Sequence, residues 1–153
     1  MKTLDNTFSV DKADESSGFL LWQVTNLWQR EIKKALEPYG ITHSQFVLMA
    51  STHWLTLNGQ EVTQVMLSNH TKIDPMTTST VLRTLQQKKL LKRKEHATDT
   101  RAKTVVLTEE GKIIAMETVV IVERFDKEFF AVLQDKTQYF NHNLSAILNK
   151  NKK

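Results

Sequence analysis

The sequence contains no cysteine, which excludes disulfides, thiolate metal sites and thiol-based redox sensing. It has no apolar run of the length that a membrane span needs, and its first 17 residues are polar, without the apolar core of a signal peptide. We therefore expect a cytoplasmic protein with no membrane partner. No internal repeat or low-complexity linker divides the chain, so its 153 residues suit one domain with a sizeable core.

The net charge is only +4, but it is unevenly distributed. From Lys72 to Lys103, nine basic residues stand against three acidic ones, which gives this segment a net charge of +6 and leaves −2 for the rest. A basic patch of this kind favours a polyanion through counterion release. For a charge run considered alone, the alternative is a solvated lysine-rich surface.

The centre of the basic segment has the pattern of a helix-turn-helix. Asp74 and Pro75 suit the cap and the first position of a helix, because a carboxylate accepts from free N–H groups there and proline needs no donor. A short helix from about Thr63 to His70 precedes it, joined by the tight connection 71–73. Small hydroxyl side chains and one guanidinium follow the cap, and the pattern predicts a DNA-reading helix. The residues expected to read bases are Thr77, Thr78, Ser79, Thr80 and Arg83.

Two short segments after this helix predict a β-hairpin. They run from Leu90 to Lys94 and from Lys103 to Leu107, and β-branched residues with partial alternation support the second. A hairpin behind a helix-turn-helix is a wing, and Arg101 lies at its expected tip.

Apolar residues at three- and four-residue steps predict longer helices on both sides of this region. These helices run from Ser17 to Leu36, from about Thr42 to Leu57, from Thr108 to about Leu133, and from about Asp135 to Asn149, followed by a solvated tail. The terminal helices carry more apolar surface than one winged unit can cover. A two-fold homodimer buries such a surplus economically, whereas a monomer with a larger core is the alternative.

The order of these elements resembles the multiple-antibiotic-resistance regulator (MarR) family of winged helix-turn-helix transcription factors over about Ser17 to Asn149. The most specific similarity is the stretch 99–112, Asp-Thr-Arg-Ala-Lys-Thr-Val-Val-Leu-Thr-Glu-Glu-Gly-Lys, which resembles the family's wing signature. Ile41-Thr42-x-x-Gln45-Phe46 is similar to the segment that opens the family's second helix.

The resemblance implies a mainly α fold with a small β-hairpin wing. About 17–57 and 109–149 would supply dimerisation helices, and about 60–107 would form the DNA-binding lobe. Arg101 would enter the minor groove, oriented by Asp99, because narrow A·T-rich grooves attract arginine. Lys92, Lys94 and Lys103 would lie near phosphates, which fix register without reading sequence.

The sequence departs from the family pattern at two positions. The family commonly has arginine at the position that Thr80 occupies here, so Arg83 or the hydroxyl groups must make more of the base contacts. The family usually has glycine at the position of Lys89, between the recognition helix and the first wing strand. Glycine there permits a left-handed backbone, which lysine adopts only at a cost in free energy.

No catalytic constellation stands out, so an enzyme is not expected. The five histidines are scattered, and the helix predicted from Thr108 to about Leu133 contains none. We therefore expect no metal or other cofactor. Family members commonly respond to small, often anionic aromatic molecules. Trp22, Trp28, Phe46, Met49, His53 and Trp54 could line such a pocket, although aromatics at helical spacing are more often core.

The leading interpretation is a homodimeric repressor or activator that binds a pseudo-palindromic operator in double-stranded DNA. A small molecule would release it by favouring a dimer with misplaced recognition helices. The alternatives are a winged-helix DNA binder without a ligand and a helical protein-interaction module whose basic wing contacts an acidic partner.

Overall fold

The computed structural model describes residues 7–95, 98 and 102–152. Within these residues the chain forms six α-helices and one two-stranded antiparallel sheet. In chain order these are α1 (Ser17–Leu36), α2 (His43–Leu57), α3 (Gln64–Thr71), α4 (Pro75–Gln87), β1 (Leu91–Glu95), β2 (Lys103–Leu107), α5 (Glu109–Phe129) and α6 (Thr137–Lys150). The predicted fold class, mainly α with a small hairpin wing, is confirmed.

The chain divides into two compact units, one that ends at His43 and one that begins at Ser44. In the first unit, the Ser16 hydroxyl caps α1 by accepting from the Phe19 N–H at 3.3 Å. A short 3-10 turn (Glu37–Tyr39) and Gly40, at φ 68°, end the helix region. The predicted bounds of α1 are therefore confirmed.

The second unit has a core of aliphatic side chains contributed by α2, α3, α4 and the sheet. The fully buried members include Leu48, Met49, Leu67, Leu82, Leu85, Leu91 and Val105. Because β1 packs against α4 and β2 packs against α3, the wing and the helix-turn-helix form one packed lobe.

The hairpin has a simple antiparallel register in which Leu91 pairs with Leu107 and Glu95 pairs with Lys103. A short extended piece lies along β2, since the Val105 N–H donates to the Val62 carbonyl at 2.8 Å and Thr63 forms a bridge with Thr104. The second strand has its predicted bounds, and the first begins one residue later than predicted.

The long helix ends earlier than the sequence pattern predicts. The expected end was about Leu133, but α5 ends at Phe129, and a 3-10 segment (Ala131–Lys136) precedes α6. Gln134 there has φ 51° and ψ −127°, which no helix permits. The turn brings the Phe130 and Phe140 rings to 5.8 Å between centroids, so aromatic packing accompanies the break.

Within the described ranges, no helix combines the length and the apolar character that crossing a bilayer requires.

Candidate nucleic-acid interface

The start of α4 is fixed by the side chain of Asp74. One carboxylate oxygen accepts from the Thr77 backbone N–H at 2.9 Å, and the other accepts from the Thr77 hydroxyl at 2.6 Å. These two hydrogen bonds lower the pKa of Asp74 because they stabilise its charged form. The predicted cap is therefore present, and the carboxylate is already committed to the helix start.

The turn between α3 and α4 is held by side-chain hydrogen bonds to its backbone. The Ser68 hydroxyl donates to the Ile73 carbonyl at 2.6 Å, and the Ile73 N–H donates to the Thr71 hydroxyl at 3.2 Å. Lys72 ends α3 in the left-handed conformation, with φ 64°. This turn fixes the angle at which α4 leaves α3, as a helix-turn-helix requires.

The outward face of α4 contains most of the residues predicted to read bases. Thr77, Thr80 and Arg83 are exposed and Ser79 is half-buried. The Thr80 hydroxyl donates to the Met76 carbonyl at 3.0 Å, so its methyl group and its remaining acceptor face outward. These side chains can supply hydrogen bonds and an apolar contact to base edges.

Thr78 requires a correction. Its side chain is 1 % exposed and its hydroxyl points to the Ile73 carbonyl at 3.4 Å. It shares the inward face with Leu82 and Leu85, because steps of four and three residues return to the same side of a helix. The prediction that Thr78 reads bases is therefore wrong in this structure.

The sequence reasoning missed Met76, which is 80 % exposed in the first turn of α4. Met76, Thr80, Arg83 and Gln87 follow one another at steps of four, three and four, so they share the outward face. That spacing was visible in the sequence. Met76 therefore adds a flexible apolar side chain to the face, suited to contact with a thymine methyl group.

The wing presents lysines on its outer surface. Lys92 and Lys94 are exposed and share one face of β1, since alternate residues of a strand point the same way. Lys103 is also exposed, but it pairs with Glu95 on the opposite face. Asp99 and Arg101, the predicted wing-tip residues, lie outside the described residues.

Arg93 ties the wing to both helices of the helix-turn-helix, a role that the sequence reasoning did not anticipate. Its Nε donates to Gln86 of α4 at 2.9 Å, and its Nη1 donates to Gln64 of α3 at 2.8 Å. Both acceptors are neutral side-chain amide oxygens. No local sequence signal links three residues so far apart.

The end of α4 is tied to the start of α5 by a second set of contacts. The Thr108 hydroxyl donates to the Lys89 carbonyl at 2.8 Å and accepts from the Gly111 N–H at 3.0 Å. The Thr108 N–H also donates to the Leu90 carbonyl at 3.1 Å. One threonine therefore caps α5 and attaches it to the turn that follows α4.

The residues predicted to line an effector pocket differ in exposure. Met49 and Phe46 are buried, Trp28 and His53 are half-buried, and Trp22 and Trp54 are more than 60 % exposed. Trp28 packs edge-on against His43, with 5.0 Å between the ring centroids. The pocket stays a prediction. In the described part of the chain, no group of three or more His, Asp or Glu side chains could hold a metal ion.

Comparison with known proteins identifies relatives of this chain. A family model described as ArnR1-like, winged-helix domain matches residues 37–124. The chain is 38 % identical over 126 residues to the HTH-type transcriptional regulator YdcH of Bacillus subtilis, covering 82 % of this chain and 86 % of the relative. It is 26 % identical over 120 residues to the HTH-type transcriptional repressor Mb2911 of Mycobacterium bovis, covering 78 % and 84 %.

Solved structures with the same fold include a DNA complex and a complex with p-coumaroyl-CoA. The DNA complex of MepR from S. aureus superposes with a TM-score of 0.81 at 20 % identity, covering 92 % of this chain and all of that one. CouR from Rhodococcus jostii RHA1 bound to p-coumaroyl-CoA has a TM-score of 0.77 at 21 % identity, covering 90 % and 95 %. At these identities the likeness establishes the fold.

Proposed function

Because the chain belongs to the MarR family of winged helix-turn-helix transcriptional regulators, we propose that it represses transcription as a homodimer on a pseudo-palindromic operator. In this proposal a small molecule releases the protein from DNA. The fold and the relatives indicate a regulator rather than an enzyme. A role on the chromosome also agrees with the expected cytoplasmic location.

The observation that carries the DNA-binding part is the outward face of α4. Met76, Thr80 and Arg83 form a row of solvent-accessible side chains on a helix whose opposite face is locked into the core. A helix held in this way can lie in a major groove with its N-terminal residues against base edges. The guanidinium of Arg83 can bind guanine in a bidentate manner.

The lysines of the wing support the same proposal. Lys92 and Lys94 lie on the exposed face of β1, while Arg93 between them holds the strand to α3 and α4. Phosphate contacts from this strand would set the register of α4 in the groove. Arg101 and Asp99 remain part of the proposal as the minor-groove contact and the residue that orients it.

The homodimer is supported by apolar side chains that this chain leaves exposed on three helices. They are Phe19, Leu20, Leu21, Trp22, Val24 and Leu27 of α1, Ile113, Met116 and Val120 of α5, and Leu144, Ile147 and Leu148 of α6. Monomeric proteins rarely expose large apolar groups in such numbers. A two-fold interface would bury the same surfaces on both copies.

The effector part rests on side-chain chemistry and on one solved structure of the same fold that holds a ligand. Trp22 and Trp28 in the first unit, and His53 and Trp54 in the second, are at least partly accessible, and each is a ring that can stack on a flat aromatic ligand. CouR, a protein of the same fold, is bound to p-coumaroyl-CoA, which is consistent with such a mechanism. The ligand would act by its differential affinity for the two dimer arrangements.

The experiment that tests the function is selection of genomic DNA fragments by the purified protein. Affinity for a retained fragment is then measured by fluorescence anisotropy between about 50 and 200 mM salt, where phosphate contacts make binding strongly salt-dependent. We expect Arg83→Ala to weaken binding by about 5- to 100-fold, as the removal of a bidentate base contact does.

Arg124→Ala is the matched control, because Arg124 is an exposed arginine on α5. Equal affinities of the Arg83→Ala and Arg124→Ala variants would contradict base readout by α4. Failure to retain any duplex at low salt would favour the protein-interaction alternative, and a DNA complex that no compound shifts would favour a binder without a ligand.

A further inference from the structure

A cleft at the turn of the helix-turn-helix brings together two parts of the chain that are about 80 residues apart. It has a volume of about 220 Å³ and is lined by Ser68, Asn69, Lys72 and Ile73 on one side and by Asn151 and Lys152 on the other. The second side belongs to the segment that directly follows α6. The sequence had indicated only a solvated basic tail there.

The lining of the cleft has the chemistry of an anion site. Its two charged side chains, Lys72 and Lys152, are both cationic, and no carboxylate lines it. The amide of Asn69 is exposed and makes no side-chain hydrogen bond among the described residues, so its N–H₂ group is free to donate. Two ammonium groups and one amide can surround a phosphate oxygen with donors.

The backbone of the cleft is held in place by hydrogen bonds on both sides. The Lys72 ammonium donates to the Asn69 carbonyl at 2.7 Å, which keeps that side chain beside the end of α3. The Ser68 hydroxyl is committed to the Ile73 carbonyl at 2.6 Å. On the other side, the Asn151 side-chain amide donates to the Ile147 carbonyl at 2.8 Å and so caps α6.

The position of the cleft favours the DNA backbone as the source of the phosphate. Ile73 in its wall is followed directly by Asp74 and the exposed first turn of α4. The carboxylate of Asp74 does not line the cleft and is occupied by Thr77. Strand phosphates run beside a recognition helix on both edges of the groove, so one can reach a site next to its first turn.

We propose that this cleft binds a phosphate group of duplex DNA through Lys72, Lys152 and Asn69. The segment after α6 thereby contributes to the DNA interface together with the helix-turn-helix. The proposal rests on the proposed DNA-binding function and adds a binding site outside α4 and the wing. Because a phosphate contact carries no base information, it strengthens binding to all sequences alike.

The test measures binding of a short duplex of mixed sequence to the full chain between about 50 and 200 mM salt. The slope of log K against log salt falls by about 0.9 for each phosphate that the protein no longer neutralises. We expect the slope of the Lys72→Gln/Lys152→Gln variant to be smaller than that of the parent by about 0.9 per bound protomer. Lys127→Gln, an exposed lysine in the last turn of α5, should leave the slope unchanged.

Asn69→Asp gives a second variant with a matched charge change. It lowers the net charge by one, as Lys127→Gln does, but it places the carboxylate in the cleft. We expect weaker duplex binding for Asn69→Asp than for Lys127→Gln, with both variants folded by circular dichroism. Equal binding by these two variants, together with an unchanged slope in the double lysine variant, would overturn the proposal.

A third measurement distinguishes DNA from a free phosphate compound. The melting temperature of the protein without DNA is measured with added inorganic pyrophosphate. A rise that disappears in Lys72→Gln/Lys152→Gln, combined with an unchanged DNA slope, would assign the cleft to a soluble phosphorylated ligand and overturn its assignment to DNA. If the parent protein binds no duplex, the proposed function fails instead.

Discussion

Among single residues, two lysines occupy backbone conformations that favour glycine. Lys72 has φ 64° in the turn before α4, and Lys89 has φ 62° in the turn after it. The resembling family usually has glycine at the position of Lys89, and this chain adopts the left-handed backbone there with a lysine. Side chains with a Cβ adopt this conformation at a cost, so both ends of the recognition helix hold local strain.

Replacing Lys89 by glycine should therefore stabilise the protein. We expect Lys89→Gly to raise the free energy of unfolding by about 0.5–1 kcal/mol, because relief of the left-handed strain exceeds the added freedom of the unfolded chain. Urea unfolding measures this. Gln87→Gly is the control, since Gln87 is exposed and helical, and it should destabilise by up to about 1 kcal/mol. A loss of stability in Lys89→Gly would contradict the prediction.

The cap of α4 predicts that the stability of the folded protein depends on pH. Its hydrogen bonds lower the pKa of Asp74 in the folded protein, so they contribute stability above the unfolded pKa, and this is lost as the pH falls through the folded pKa. The stability advantage of the parent over Asp74→Asn should thus be largest at neutral pH and disappear in acid. Urea unfolding across this range measures it, with Asp135→Asn as the control. A constant difference at all pH values would argue against the cap.

Among the elements, the recognition helix is held at its C-terminal end by contacts to its neighbours. Arg93 binds Gln86 and Gln64, which joins β1 to α4 and α3. Thr108 holds the turn after α4 against the start of α5. These contacts therefore join the C-terminal end of α4 to α3, β1 and α5.

Gly111 allows this close approach of α5 to the turn. A Cβ at this position would overlap the carbonyl oxygen of Leu90. We expect Gly111→Ala to lower the free energy of unfolding by about 2 kcal/mol or more, measured by thermal or urea unfolding. Gly18→Ala is the matched control, because Gly18 is helical with open space around it, and it should be neutral or stabilising. Similar effects from the two variants would refute the close approach.

For the molecule as a whole, the exposed apolar side chains of α1, α5 and α6 are the dominant feature. The same chain has a net charge of +4, concentrated in the part that includes α4 and the wing. A homodimer would separate these roles, with apolar helices joining two copies and basic surfaces left free for a duplex.

The proposed homodimer can be tested on α6. Ile147 is 62 % exposed in the isolated chain, and a carboxylate there would have to be buried in the interface. We expect the parent to sediment as a dimer and Ile147→Glu to shift it toward monomer by at least tenfold in dissociation constant, which corresponds to about 1.4 kcal/mol. His142→Glu, on the opposite face of α6, should remain dimeric. A parent protein that is monomeric at all concentrations would overturn the proposal.

Features that depend on near neighbours along the chain could be predicted from the order of the amino acids alone. Caps at Asp74 and Thr108, the helical apolar steps of α1 and the alternation in β2 all act within a few residues, so their bounds were predictable. The family resemblance then supplied the arrangement of these elements, and it named Thr77, Thr80 and Arg83, which are exposed on α4.

Other features depend on contacts between distant parts of the chain, and these were decided by packing in three dimensions. Packing buried Thr78 in the core, placed Arg93 between two glutamines, ended α5 at Phe129 and brought Lys152 into the same cleft as Lys72. Burial and close approach are set by how whole elements pack. Periodicity shows only which side of one element faces inward, and a cap shows only where a helix begins or ends.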